Sequence, residues 1–393
     1  MSKVSFPPWP NFDQDEITAV AEVLSSGKVN YWTGDQGKCF EKEFAEYIGA
    51  EHAIALANGT VALELALYAL GIGKGDDVIV PSRTFIASAS CVVARGGRPI
   101  VADVDEVSQN ISVDTIKSVL TPNTRAIIVV HLGGWPADME SIMAYAAEND
   151  LIVIEDCAQA HGAMVNSRKV GSFGDAAAFS FCQDKIMSTG GEGGMLLLKD
   201  EAAWKRAWAY KDHGKDFDAV FNQEHPKGFR WVHHSFGTNW RLTEMQSAIG
   251  RLQLKKLDAW VEKRNANANI LHQKLCDTVG LQIHAPGKSI RHAYYRFYAF
   301  LDESVLLPEW NRDRIVEAIS ESGVACFQGS CGEIYREKAF EEAALQPAQR
   351  LPVARKLDET SICFLVHPTL CESNMNKIAT VVKEVMGRAV GSV

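Results

Sequence analysis

The sequence has no apolar run near the ~20 residues that a membrane-spanning helix requires. The residues from Met1 to Pro8 lack the apolar core of a secretory signal. Nine cysteines are scattered along the chain, and the closest pair, Cys326 and Cys331, has neither C-x-x-C spacing nor histidines placed as in a zinc site. Cysteines in odd number without a pairing framework are typical of free thiols in a reducing compartment. These absences predict a cytoplasmic protein without a metal centre.

Positive charge is also scarce, because the formal net charge is -9 and the sequence pI is about 5.7. This balance argues against a nucleic acid polymer as the main partner, although it allows a local pocket for one phosphorylated ligand. Hydrophobic residues make up 47% of the chain and charged residues 23%, which is typical of a globular protein with a large core. A length of 393 residues suggests two or three domains.

The first 250 residues alternate short β-branched runs with helical ones. Residues 61–70 predict a buried helix, because nearly all of them are apolar. The runs at 77–81, 99–103, 126–131 and 151–156 predict strands buried on both faces, as in a parallel sheet covered by helices. The pattern therefore predicts an α/β fold, with active groups at the carboxyl ends of the strands.

The pattern changes after about residue 205. Residues 211–238 show no clear period, so this long segment is interpreted as functional or mobile. A long helix is predicted from residue 242 to about residue 278, where it would join a large domain to a smaller C-terminal α+β domain. The predicted division is an N-terminal segment 1–30 packing on the small domain, a large domain 31–255 and a small domain 256–393.

Lys185 follows an apolar, strand-like run and precedes the glycine-rich residues 188–194. Little side-chain bulk would crowd a large group beside its amine, and a lysine held in this way can form a Schiff base with a carbonyl compound. The same residue fits equally well as a solvated lysine at a strand end. The window around Lys185 therefore leaves two readings open.

Two further positions suit a phosphorylated cofactor with a pyridine ring. Gly59 and Thr60 precede the predicted helix at 61–70 and could offer free amides and a hydroxyl to a phosphate, but an ordinary helix cap at Asn58 is the commoner explanation. Asp156 ends an apolar strand and could pair with a protonated ring nitrogen. A carboxylate that caps the next helix is again the commoner explanation for an isolated aspartate.

Weaker candidates surround these positions. Gln159 could reach a phenolic oxygen from the same turn as Asp156, and Phe85 could lie against a planar ring, although it fits a core position as well. His131, His161 and His213 could act as acids or bases, and each by itself is better explained as a structural residue.

Together and in this order, the candidates resemble the fold-type I pyridoxal-phosphate enzymes, and within them the sugar aminotransferases often called the DegT/StrS family. The resemblance runs along nearly the whole chain. It is carried by Phe40-Glu41-x-x-Phe44-Ala45-x-Tyr47-Ile48-Gly49, Gly73-x-Gly75-Asp76-Asp77-Val78-Ile79-Val80-Pro81, Glu155-Asp156-x-Ala158-Gln159-Ala160-x-Gly162 and Gly237-x-Asn239-x-Arg241.

The resemblance implies a role for each candidate. Lys185 would form the Schiff base with pyridoxal 5′-phosphate and carry the proton during transamination. Asp156 would pair with the pyridine nitrogen, Gln159 would contact the phenolic oxygen and Phe85 would stack on the ring. The remaining implied residues are Gly59, Thr60 and Ser180 at the phosphate, Asn239 at the phosphate of a neighbouring subunit in a homodimer, and Glu192 and His213 near the substrate entrance.

The expected reaction moves an amino group from L-glutamate, with glutamine as a weaker candidate, to a keto sugar. We expect a nucleotide-linked 4-keto-6-deoxyhexose in amino-sugar biosynthesis. The alternatives are a 3-keto sugar, a dehydratase of the same family, which would carry histidine in place of Lys185, and a non-catalytic regulator that binds the cofactor. Departures from the family pattern fall at Asp184, at Leu365 and in the long segment 215–236, where substrate choice would be made.

Overall fold

Helices and strands alternate through the first 200 residues of the computed structural model, which describes residues 6–391. Residues 1–5 of the expected N-terminal segment lie outside the described residues. The helices are α1 Gln14–Ser26, α2 Gln36–Ile48, α3 Gly59–Ala69, α4 Ala87–Ala94, α5 Val113–Lys117, α6 Met139–Glu148, α7 Glu201–Lys211, α8 Phe217–Phe221, α9 Glu244–Leu275, α10 Arg312–Glu321, α11 Lys338–Glu342, α12 Pro352–Thr360 and α13 Glu372–Ala389.

The strands are shorter than most of the helices. They are β1 His52–Leu56, β2 Asp77–Pro81, β3 Arg98–Ala102, β4 Thr124–Val130, β5 Ile152–Asp156, β6 Met164–Val165, β7 Arg168–Lys169, β8 Ala176–Ser180, β9 Gly194–Leu198, β10 Leu281–Gln282, β11 Ile290–Arg291, β12 Phe297–Leu301, β13 Cys326–Phe327 and β14 Ser361–Phe364. The four strands predicted from the sequence are β2, β3, β4 and β5, and their ends differ from the prediction by at most two residues.

A seven-stranded sheet forms the centre of the larger part of the molecule, in the order β1-β9-β8-β5-β4-β2-β3. The five strands from β8 to β3 are parallel, and β9 runs antiparallel between β8 and β1. The prediction of an α/β fold with a mostly parallel, buried sheet is confirmed. The antiparallel strand β9, directly after the glycine-rich turn, was missed.

Helix α3 explains how the sheet is covered. Six of its eleven residues are buried, and it packs against α4, α7, β8 and β9. An almost wholly apolar helix is stable in water only when it is enclosed in this way. Its first turn consequently lies at the carboxyl edge of the sheet, beside the end of β8.

A second, antiparallel sheet in the order β10-β12-β14-β13 forms the centre of the smaller C-terminal part. Helices α10 and α13 pack beside it around a separate apolar core, as expected for an α+β unit. Helix α9 packs against α1 and α2 and also against α13, so it joins the two parts as predicted. The residue boundaries of the domains remain a prediction.

The long segment 211–238 is less irregular than its sequence indicates. It contains the short helix α8, whose first turn is capped by the Asp216 side chain accepting a hydrogen bond from the amide of Ala219 at 2.7 Å. A single helical turn is too short to produce a recognisable period.

None of the described helices is both long and apolar enough to cross a bilayer.

Glu155 organises the loop between β5 and β8. Its carboxylate is fully buried and accepts hydrogen bonds from the amides of Gly171, Phe173 and Gly174 at 2.7–2.8 Å, and it lies 3.1 Å from the His131 ring. Burial by itself would raise the pKa of this carboxyl, but these partners bring it below its usual value. Glu155 is therefore a structural residue, held ionised inside the protein.

We expect Glu155→Ala to lower the free energy of unfolding by roughly 3–5 kcal/mol, because three buried amides would lose their acceptor. Denaturant unfolding at pH 7 measures the change, and Glu148→Ala, an exposed site at the end of α6, serves as the control. Because the pKa of Glu155 is lowered in the folded protein, its contribution should be lost as the pH falls through that folded-state value. A loss below about 1 kcal/mol would contradict this role.

Candidate active site

A cavity of about 710 Å³ opens at the carboxyl edge of the parallel sheet. The ends of β5 and β8, the first turn of α3 and the segment after β2 form its walls, as expected for a parallel α/β sheet. Seven of the residues predicted for a site line this one cavity: Gly59, Thr60, Phe85, Asp156, Gln159, Ser180 and Lys185. Glu192, the predicted substrate contact, lines it as well.

Asp156 is the last residue of β5, and its side chain is only 7% exposed. It accepts hydrogen bonds from the Ser88 hydroxyl at 2.9 Å and from the amide of Ala158 at 3.2 Å. Burial raises the pKa of this carboxyl above its usual value, even though these donors and the charge of Lys185 act in the opposite direction. Within residues 6–391, no side-chain cation lies within 4 Å of it, so a bound N–H⁺ group would find a carboxylate in need of a partner.

The first turn of α3 lies directly against the end of β8. A Cβ atom at position 59 would lie 2.7 Å from the Cβ atom of Ser180, so only glycine allows this approach. The Asn58 side chain caps the helix by accepting a hydrogen bond from the Val61 amide at 3.0 Å. The helix cap is therefore observed, and Thr60 and Ser180 line the cavity, whereas phosphate binding by this turn stays a prediction.

Lys185 lies in the cavity wall opposite the ring of Tyr295. Its Nζ atom is 5.1 Å from the centre of that ring and 3.5 Å from the Asp184 carboxylate, and Asp184 also accepts a hydrogen bond from the Tyr295 hydroxyl. Burial by itself would lower the pKa of the Lys185 ammonium, but the negative charge that Tyr295 and Asp184 can carry raises it above its usual value. Asp184 thus acts directly on the lysine.

The turn after Lys185 is fixed by its own polar groups. The Thr189 hydroxyl donates to the Glu192 carbonyl at 2.6 Å, and the Gln246 side chain donates to the same carbonyl at 2.7 Å. A Cβ atom at Gly193 would lie 2.1 Å from the Thr189 hydroxyl oxygen. Glycine is therefore required where the chain folds back to begin β9.

Phe85 and Gln159, two further predicted residues that line the cavity, differ in exposure. The Phe85 ring is 66% exposed at the cavity mouth, unlike a core phenylalanine. Gln159 is buried, and its side chain accepts a hydrogen bond from the Gly133 amide at 2.7 Å and donates to Ser330 at 3.4 Å. An exposed aromatic ring at the mouth offers a surface for a planar ligand.

Two predicted residues do not line the cavity. Asn239 is exposed and pairs through its backbone with Asp212, and His213 is exposed with a positive φ of 61°. The other two histidine candidates are structural, since His131 binds Glu155 and His161 is buried against Phe179 and Phe181. Burial lowers the pKa of His161 to about 3, which keeps its ring neutral.

Sequence reasoning missed three polar residues of the site: Ser88, Tyr295 and Ser330. Ser88 follows Thr84 by four residues, and the two hydroxyl oxygens are 2.9 Å apart, so this helical spacing after β2 was a usable signal. Tyr295 and Ser330 come from the C-terminal part of the chain, and no local pattern connects them with Asp156 or Lys185.

Comparison with known proteins gives consistent matches over almost the full length. The sequence model described as the DegT/DnrJ/EryC1/StrS aminotransferase family matches residues 10–383. The chain is 36% identical over 377 residues to the UDP-N-acetyl-3-dehydro-alpha-D-glucosamine 3-aminotransferase of Acidithiobacillus ferrooxidans, covering 95% of this chain and 94% of that protein. It is 33% identical to the GDP-perosamine synthase of Escherichia coli O157:H7, covering 95% and 96% of the two chains.

A solved structure shows the same fold. The aminotransferase from Psychrobacter cryohalolentis superposes with a TM-score of 0.96 at 50% identity, covering 98% of this chain and 100% of that chain. The fold therefore agrees with a known aminotransferase over 98% of the chain.

We expect Asp156→Asn to raise the melting temperature of the ligand-free protein at pH 8 by roughly 2 °C or more. The raised pKa means that Asp156 stabilises the fold when protonated and that this contribution is lost as the pH rises through the folded-state value. Asparagine copies the neutral form, so the difference should narrow at pH 5. Thermal unfolding at both pH values measures it, with the exposed Glu46→Gln as the control, and a lower melting temperature at pH 8 would be the opposite result.

Proposed function

The chain belongs to the DegT/DnrJ/EryC1/StrS aminotransferase family, and we propose that it transfers the amino group of L-glutamate to a nucleotide-linked keto sugar, using pyridoxal 5′-phosphate. The enzyme is an aminotransferase with the fold-type I architecture. The observation that carries the proposal is the meeting of Lys185 and Asp156 in one cavity with the first turn of α3. This cofactor requires a lysine nucleophile, an acid beside the ring nitrogen and donors to its phosphate, such as those at a helix N-terminus.

The residues of the cavity fit the cofactor. Gly59 and Thr60 form the N-terminal turn of α3, and Ser180 lies against it at the end of β8, so amides and hydroxyls that favour a phosphate meet there. Asp156 would receive the ring N–H⁺, and this pairing would remove the cost of its buried charge. Phe85 would cover one face of the ring from its exposed position at the mouth.

The chemistry divides between the cofactor and the chain. Bound pyridoxal 5′-phosphate supplies an electron sink that makes removal of the donor's Cα proton possible. Asp156 would stabilise the positive charge of the ring nitrogen, and the Ser88 hydroxyl, which donates to its carboxylate at 2.9 Å, would orient it. Lys185 would take the donor's Cα proton on the neutral amine at its Nζ atom and hold it for return during the transfer. The buried walls limit water, which protects the reacting groups.

The assembly that we propose is a homodimer with shared sites. Asn239 lies outside the cavity of its own chain and is exposed, as a residue would be that reaches the phosphate of a partner subunit. Four large aromatic residues on the same 211–238 segment are also exposed: Phe221, Phe229, Trp231 and Phe236. His213 and Glu192 remain candidates for contact with the substrate. We propose a cytoplasmic location for the reaction, and the nine free cysteines support it.

The sugar is proposed to be a nucleotide-linked 4-keto-6-deoxyhexose. A nucleotide-linked 3-keto sugar is the second candidate, because the name of the relative from Acidithiobacillus ferrooxidans specifies a 3-dehydro sugar and a 3-aminotransferase. Both belong to amino-sugar biosynthesis. The presence of Lys185 in the cavity favours amination over the dehydratase alternative and over a regulator without turnover.

We expect Lys185→Ala to reduce amination by about 10³-fold or more, because the proton carrier and nucleophile are lost. The assay offers L-glutamate with a panel of nucleotide-linked 4-keto and 3-keto sugars and scores the aminated product by mass spectrometry. Lys288→Ala, an exposed lysine far along the chain, serves as the control. Undiminished amination by Lys185→Ala would refute the proposed mechanism, and a product without nitrogen from the wild type would favour the dehydratase.

Asp184→Asn is expected to lower the pKa of Lys185, since it removes a negative charge 3.5 Å from the ammonium. Capture of the pyridoxal 5′-phosphate aldehyde requires the neutral amine. The rate of cofactor uptake by the ligand-free protein should therefore reach half its maximum at a lower pH in the variant, as measured by absorbance. Asp277→Asn, at an exposed position, should leave the profile unchanged, and an unshifted profile in Asp184→Asn would exclude this effect.

A further inference from the structure

A second cavity, of about 360 Å³, lies beside the one that contains Lys185. The two share Asp184 and Tyr295 as a common wall. We call it the arginine cavity, because Arg264 and Arg296 line it together with residues of the N-terminal segment. It is about half as large as the first cavity, so it suits one end of a small molecule.

Arg264 has fewer polar partners than a buried guanidinium requires. It is 2% exposed, one of its terminal nitrogens donates to the Tyr294 carbonyl at 3.1 Å, and its Nε atom has no hydrogen-bond partner among residues 6–391. Its guanidinium carbon lies 5.2 Å from the centre of the Trp9 ring. Burial and the charge of Arg296 lower the pKa of Arg264 to about 9, so it remains charged at neutral pH.

Arg296 also lacks a carboxylate partner. Its guanidinium carbon lies 5.0 Å from the Tyr295 ring centre and 5.2 Å from that of Phe327, and it forms no ion pair within 4 Å in the described part of the chain. The third basic residue, His367, is neutral, because burial and the two arginines lower its pKa to about 3. Two cations in an apolar cavity without a bound anion are costly.

Asp184 offsets these two charges only in part, because the charges of both Lys185 and Arg296 lower its pKa. It is the carboxylate that lines the cavity, but it accepts the Tyr295 hydroxyl and lies 3.5 Å from Lys185. Its negative charge is therefore shared with the lysine. The arginine cavity keeps an excess of positive charge that an anionic ligand would offset.

Each arginine contacts an aromatic residue that also contacts Lys185: Tyr295 for Arg296, and Trp9 for Arg264. The Tyr295 ring centre lies 5.1 Å from the Lys185 Nζ atom and 5.0 Å from the Arg296 guanidinium carbon. The Trp9 ring is near Arg264, and its Nε1 atom donates to the Lys185 carbonyl at 2.8 Å. A short chain that carries an amine at one end and an anion at the other could therefore reach both cavities.

We propose that the arginine cavity binds the side-chain carboxylate of the amino donor, L-glutamate, while the donor's amine lies beside Lys185. This assignment rests on the proposed function and adds a basis for donor selection. A guanidinium recognises a carboxylate with paired hydrogen bonds, which a neutral amide or an alkyl side chain cannot replace. The site therefore selects a dicarboxylic amino acid over glutamine.

The test is Arg296→Gln, which removes the charge and keeps a hydrogen-bonding side chain. In the holoenzyme, the donor half-reaction is followed by the absorbance of the bound cofactor with L-glutamate and with L-norvaline, which has a side chain of similar length without a carboxylate. We expect the apparent affinity for glutamate to fall roughly 10- to 100-fold, with norvaline little changed. Arg296→Lys should recover part of the loss, and Arg314→Gln, an exposed arginine stacked on Trp310, is the matched control.

A binding measurement supplies a readout that does not depend on turnover. Titration calorimetry with glutarate should give a dissociation constant at least about 10-fold weaker for Arg296→Gln than for the wild type or Arg314→Gln. Unchanged glutarate binding, or equal losses with glutamate and norvaline, would overturn the assignment. A wild type that accepts no amino group from glutamate would instead refute the proposed donor, so the two failures are distinguishable. Thermal unfolding of each variant confirms that the fold is retained.

Discussion

Two consecutive carboxylates at the end of β5 lie in opposite electrostatic surroundings, one on each face of the central sheet. Successive side chains of a strand point to opposite faces, so Glu155 and Asp156 enter different surroundings. Glu155 receives three amides and lies beside a histidine, and its pKa is held below the usual value. Asp156 receives one hydroxyl and one amide, and burial raises its pKa. Glu155 therefore holds the loop between β5 and β8 in place, and Asp156 is available to a ligand.

The elements that the sequence predicts well are those whose signal is local. The apolar runs gave nearly the bounds of four of the five parallel strands, because strands buried on both faces are continuously apolar. Asp156 and Lys185 could be located because each follows such a run. The nearly all-apolar composition of α3 similarly indicated that this helix would be buried.

The remainder of the site depends on contacts that join distant parts of the chain. Ser88 meets Asp156 across 68 residues, and Tyr295 meets Asp184 across 111 residues. Contacts between residues so far apart in the chain produce no periodic pattern in the sequence. Asp184 was an unexplained departure from the family pattern, and the structure gives it two partners, Lys185 and Tyr295. A single side chain on the wall between two cavities connects the environment of the amine with that of the arginines.

Trp9 gives the start of the described chain a direct connection with the centre of the molecule. Its indole donates to the carbonyl of Lys185, 176 residues away, while its ring lies over Arg264 and near His367. Proteolytic nicking or fusion of a bulky tag close to Trp9 would therefore disturb the backbone at Lys185 and the side chain of Arg264. Terminal residues are usually the first to be trimmed or extended without consequence. For this enzyme, the N-terminal segment should therefore be shown to be intact in each purified sample before activities are compared between preparations.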